Sequence, residues 1–132
     1  MLNDIIKDCQ KFDSFAYKIA DCVRADCCSE CDAMECADIF KKHGLINVTY
    51  DWNRDIDNYR VEGESPYRQI EIECTQLGVE VFGILHLIFV DCSNEKLAQQ
   101  CAEVMRKYRL KSVSQFLLDD APIWRVEGKL PI

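Results

Sequence analysis

The sequence has few of the residues that break a chain. It holds five glycines and three prolines in 132 residues, which excludes collagen-like and low-complexity linker architectures. Long hydrophobic runs are also absent. The longest apolar stretch, residues 83–90, carries His86 inside it and is far short of the ~20 residues a membrane helix needs. The first residues are interrupted at once by Asn3 and Asp4, so no secretory signal is read there, and neither end carries a lipidation signal. Basic residues are in deficit, 16 against 23 acidic ones, for a net charge of −7. That weighs against nucleic acid as a direct partner, because phosphate binding needs a basic face. Catalytic signatures are missing too: no P-loop, no G-x-G-x-x-G, no H-E-x-x-H and no G-x-S-x-G. The H-x-E and P-C-x-x-C pair of a zinc deaminase is likewise absent. The expectation is a non-catalytic cytoplasmic chain without a membrane anchor.

Cysteine is abundant, with nine residues. In a reducing compartment a cluster of thiols is more often metal-binding than cross-linked. Cys22, Cys27, Cys28, Cys31 and Cys36 lie close together in sequence. Zinc needs four ligands at tetrahedral corners, drawn from short segments that turn about one point. The spacing selects Cys27, Cys31 and Cys36, joined by either Cys22 or Cys28, with His43 as an outside candidate. A structural zinc of this kind contributes roughly 10–16 kcal/mol in small finger peptides, enough to fix the segment that holds it. Three other readings stand beside it. They are free core thiols, a redox Cys28-x-x-Cys31 that lacks the preceding strand of a thioredoxin-like unit, and an iron–sulfur site, whose ligand spacings differ. Cys9, Cys74 and Cys101 fall on apolar faces, and Cys92 falls at a strand end.

Hydrophobic periodicity divides the chain without an internal repeat, low-complexity stretch or linker. Leu2, Ile5, Ile6, Cys9, Phe12, Ala16, Ile19 and Val23 recur at helical spacing, predicting a helix over residues 2–24. Ser29 caps a second helix over 30–43, which Gly44 closes, so the two form a hairpin over 1–44. Strands are expected at 45–50 and 59–62. A further strand is read at 67–75, where Ile70, Ile72 and Cys74 alternate with acids, and a doubly covered one at 79–91. Ser93 caps a third helix. Residues 110–118 fit either a short helix or a strand, and 123–127 a last strand. The fold class is α+β, one domain over 1–132: a Cys-rich helical hairpin, then an antiparallel sheet of about four strands over 45–132 with a later covering helix.

Asp51, Asn53, Asp55, Asp57 and Glu62 follow an EF-hand spacing, but Ile56 stands where the sharp turn needs glycine, so a solvated acidic loop is the default. His86, in the most apolar stretch, reads as a core histidine, and nothing in the sequence pairs it with Cys74. Acid is regional. Residues 1–40 hold nine acids and four bases, and residues 51–80 hold eight and three. Such a surface suits a basic protein partner, with Tyr50, Trp52, Tyr59 and Tyr67 as candidate anchors.

In size, acidity and expected structural metal the chain resembles phage-encoded anti-CRISPR proteins. No residue motif carries the resemblance, so it transfers no site. It implies an inhibitor in the host cytoplasm that docks on a Cas nuclease and blocks nucleic-acid loading. The alternatives are an intracellular zinc-containing adaptor or regulator, and a thiol or metal enzyme.

Overall fold

A computed structural model describes residues 2–118 and 122–132. The elements run α1 (Leu2–Gln10), β1 (Phe15–Ile19), β2 (Cys22–Cys27), α2 (Glu30–Lys42), β3 (Ile46–Asn53) and β4 (Asn58–Glu64). They continue with α3 (Tyr67–Gln76), β5 (Val81–Ile84), β6 (Leu87–Cys92), α4 (Glu95–Lys107), β7 (Lys111–Leu117) and β8 (Trp124–Lys129). The fold is α+β with an N-terminal helix, as expected, and has two four-stranded antiparallel sheets. The chain divides into two compact units, Met1–Ser65 with Ile132, and Pro66–Pro131. The internal boundary therefore falls at Pro66 rather than at residue 44. Among the described residues no helix is long and apolar enough to cross a membrane.

In the first unit α1 buries Ile5 and Cys9 and stops at Gln10. Asp13 then takes a left-handed conformation, φ 52°, and reverses the chain into β1. Ala20, φ 53°, makes the next turn, and β2 returns antiparallel with Phe15 opposite Asp26 and Ile19 opposite Cys22. The expected helix over 2–24 is thus a short helix followed by a β-hairpin, and there is no helical hairpin. Asp13 and Ala20 occupy positive φ without glycine; Asp tolerates that region, but alanine is no turn marker, so the second turn carries no signal at its left-handed residue. Ser29 caps α2 as read, its Oγ accepting from Asp32 N at 3.2 Å. The sheet order is β1-β2-β4-β3. Val23, Ala25, Cys27 and Val61 point to the side on which Ala33, Cys36, Ala37 and Phe40 of α2 complete the core.

The second unit repeats the first, at a constant spacing of 65 positions. Its sheet order is β5-β6-β8-β7, and its register follows the first: Asp91 opposite Arg125 where the first has Asp26 opposite Arg60. Positive φ recurs at Leu85, Arg109 and Ser112, matching Ala20, Gly44 and Asn47. Asn94 caps α4 through Leu97 N at 2.8 Å, one residue beyond the expected Ser93 and in the place of Ser29. Arg60-Val61-Glu62-Gly63 recurs unchanged as Arg125-Val126-Glu127-Gly128. The expectation of no internal repeat is corrected by this correspondence.

Two further expectations change here. Residues 67–75 form a helix, because Ile70 and Cys74 are the buried pair, one helical turn apart, and Ile72 is exposed. The single strand over 79–91 is two strands, turned at Leu85. The ambiguous 110–118 is strand β7. The acidic loop is the tip of the β3–β4 hairpin, where Asn53 Oδ1 accepts from Asp55 N at 3.0 Å.

Candidate functional site

Each unit encloses three thiols at the seam between its first helix, its second strand and its second helix. In the first these are Cys9, Cys27 and Cys36, and in the second Cys74, Cys92 and Cys101, all buried. The spacing C-x17-C-x8-C therefore occurs twice. Within each set the cysteine of the second helix contacts both others, Cys36 touching Cys9 and Cys27, and Cys101 touching Cys74 and Cys92. The Cys92 and Cys101 sulfurs are 3.8 Å apart. The neighbouring Cys36 thiol and then burial push Cys27 far up. Burial, followed by Cys101, raises Cys92 to about 12. Cys36 is pulled down by Cys27 but pushed up by Cys9 and burial, and stands at about 11. Cys9 is lowered by the Cys36 thiol, and Cys74 by Cys101.

The five clustered cysteines go to different places. Cys22 and Cys27 stand at opposite ends of β2, roughly 16 Å apart at about 3.3 Å per residue, and on opposite sheet faces. Cys28 and Cys31 are exposed at the start of α2, whereas Cys27 and Cys36 are in the core. Of the five cysteines expected to hold zinc, Cys27 and Cys36 meet, and their third neighbour is Cys9. Among the described residues no group of three or more His, Cys, Asp or Glu side chains is arranged to hold a metal ion. His43 instead ties the two helices of its unit, its Nε2 lying 2.9 Å from the Asp8 carboxylate that accepts from it. That bond holds Asp8 below the usual carboxylate range. Glu73 takes the same place in the second unit, lowered by Lys107 and by the hydroxyl of Tyr108, and Lys107 Nζ donates to it at 2.8 Å. His86 lies in the β5–β6 turn, where its carbonyl accepts from Leu130 N at 2.7 Å.

The helices of each unit cover one face of its sheet. The opposite face is where the units part. In the first, β2 presents Cys22, Arg24 and Asp26, and β4 presents Arg60, Glu62 and Glu64. Arg24 pairs with Glu62 at 2.7 Å and Arg60 with Asp26 at 3.1 Å. In the second, β5 and β6 present Phe82, Ile84, Leu87 and Phe89 where β1 and β2 have Tyr17, Ile19, Cys22 and Arg24, while β8 keeps charge with Arg125, Glu127 and Lys129. The Phe82 and Phe89 rings stack at 5.6 Å, and Arg125 lies 4.5 Å above Phe89 while pairing with Asp91.

Charge divides the same way. Residues 1–65 hold fourteen acids and eight bases, net −6, and residues 66–132 hold nine and eight, net −1. Of the four expected anchors, Tyr50 and Trp52 are exposed. Tyr59 is half-buried edge-on to Trp52 at 5.2 Å, and Tyr67 packs on the second core. The repeated C-x17-C-x8-C and the repeated tetrapeptide are the sequence signals for this organisation, and the dense cysteines between residues 22 and 36 overlie the first of them. The chain matches no family model, no curated protein and no solved structure.

Proposed function

We propose that this is a non-catalytic binding protein whose acidic first unit docks on a basic protein. One observation carries the reading: the same fold and the same buried pattern occur twice in one chain, yet the first copy holds −6 and the second −1. The fold therefore does not require the acid. A surface charge that one copy has and the other lacks is a property of what that surface meets, and acidic surfaces steer association with basic partners. Glu35 and Asp38 lie exposed on α2 and belong to this surface, as do the rim aromatics Tyr50 and Trp52. The reading rests on charge and does not depend on zinc. The resemblance to anti-CRISPR proteins gives the reading its specific form, occlusion of the nucleic-acid channel of a Cas nuclease.

The test is binding to a guide-free Cas nuclease, measured at low and high salt, with guide loading followed in the same samples. The expected result is association that weakens as salt rises, with loading reduced. Glu35→Lys with Asp38→Lys is expected to weaken binding by an order of magnitude at low salt, while Glu103→Lys in the second unit leaves it unchanged. Association indifferent to both salt and charge reversal would overturn docking through the acidic unit. Unchanged guide loading in a saturated complex would overturn occlusion.

A further inference from the structure

The open sheet face of the second unit carries its apolar side chains onto the second strand, where the first unit does not. At matched positions the first unit has Tyr17, Ile19, Cys22 and Arg24, and the second has Phe82, Ile84, Leu87 and Phe89, so the difference lies at Leu87 and Phe89. Both units fold with the same strands in the same order, so these side chains are not needed to form the sheet. They are costly to leave in water. Phe82 is 44% exposed, Ile84 63%, Leu85 93% and Phe116 38%, with Leu87 and Phe89 half-buried beside them. Exposed apolar side chains gathered on one sheet face in this number mark a contact surface.

We propose that this face, formed by β5 and β6 and continued across β8 to Phe116 of β7, is a self-association surface on which a second copy of the chain packs sheet to sheet. Three observations select that occupant. The face belongs to an antiparallel sheet, and another sheet face of the same twist packs on it about 10 Å away. Its charges are balanced in number: Asp91 is paired with Arg125 at 2.8 Å, and Glu80 and Glu127 are equalled by Lys111 and Lys129. The surface therefore has no basic excess for phosphate and no net charge to repel an identical copy. The area also suffices. Taking aromatic side chains at about 200 Å² and aliphatic ones slightly smaller, these exposures leave roughly 500–600 Å² per copy, or about 1,000–1,200 Å² for a pair. That reaches the lower edge of specific interfaces and fits a two-fold dimer in the micromolar range, formed from the same patch on both chains.

The surface lies in the near-neutral unit, so it is independent of the acidic one, and salt separates the two. Docking on a basic partner weakens with salt. Self-association of chains that each carry −7 strengthens with salt, because screening removes repulsion and leaves the apolar contact intact.

Sedimentation equilibrium of the full chain, from low micromolar to several hundred micromolar, tests this. The mass is expected to double across that range, with the midpoint at severalfold lower concentration in high salt. Phe82→Glu with Ile84→Glu is expected to give a monomer throughout. Phe15→Glu, on the open face of the first unit, is expected to leave the dimer in place. Circular dichroism of each variant separates loss of contact from loss of fold. A parent chain that stays monomeric at the highest concentration overturns the proposal and assigns the face to a different partner. A folded Phe82→Glu/Ile84→Glu chain that still doubles its mass, or a folded Phe15→Glu chain that does not, overturns it equally.

Discussion

At the scale of the residue, the buried thiols act as small core side chains held in their protonated form. Their pH behaviour follows from the direction of their shifts. Cys27, Cys36, Cys92 and Cys101 hold their protons in the folded chain above the ordinary 9.0. The unfolded chain releases them there, so above pH 9 the folded state binds more protons and stability falls as pH rises. The lowered Cys9 and Cys74 oppose this only in part. The urea midpoint is expected to be level up to about pH 8 and to drop by pH ~10, with a shallower drop in Cys36→Ala. Serine substitutions separate the two sets. Buried Ser14 lies beside Cys27 and Cys36, and Val79 takes its place in the second unit. A hydroxyl at position 36 therefore finds an oxygen partner, and one at 101 meets only the sulfurs of Cys74 and Cys92, which are weak partners. Cys101→Ser is expected to cost about 1–3 kcal/mol for an unsatisfied buried hydroxyl, and Cys36→Ser about 1 kcal/mol less, read from urea unfolding.

At the scale of the element, the glycines of β4 and β8 show why the repeated tetrapeptide ends as it does. A Cβ on Gly63 would lie 3.0 Å from Phe40 and 3.1 Å from Leu45, and one on Gly128 3.0 Å from Met105 and from Leu110. The second helix of each unit thus rests directly on strand backbone. Gly63→Ala and Gly128→Ala are each expected to destabilise by about 1–3 kcal/mol through overpacking, measured by denaturant unfolding. Element type was legible where two signals agreed. Ser29, the acids after it and Gly44 gave α2 nearly to the residue, and the β-branched run after Leu45 gave β3. It was lost where one period imitated another. Ala16, Ile19 and Val23 fit a helix as well as two strands. Ile72 completed an alternation over 67–75 that the buried pair of Ile70 and Cys74 does not use. Grouping along the chain likewise did not foretell where the thiols stand: Cys22 and Cys27 lie at opposite ends of β2, Cys28 and Cys31 are exposed at the start of α2, and Cys36 is buried.

At the scale of the whole molecule, the two cores share no residue, so stability is held in two places. Amide exchange of Gly63→Ala is expected to show lost protection at β2 and β4 with β6 and β8 unchanged, and Gly128→Ala the reverse. Loss of protection throughout in either variant would indicate a single cooperative unit. The repeat was visible in the sequence at Arg60–Gly63 and Arg125–Gly128, but most of the matched positions differ in residue type, and only the buried face and the turns correspond. The identical tetrapeptides bear on how the chain reaches its fold. β4 and β8 each lie between two other strands of their sheet, and over those four residues each offers the same backbone spacing and the same side chains to a waiting hairpin. A refolding chain therefore has a competing arrangement in which the strand of one unit is accepted by the other, the characteristic error of repeated sequences. Only the flanking pairs, Tyr59 against Trp124 and Glu64 against Lys129, distinguish the right partner from its double.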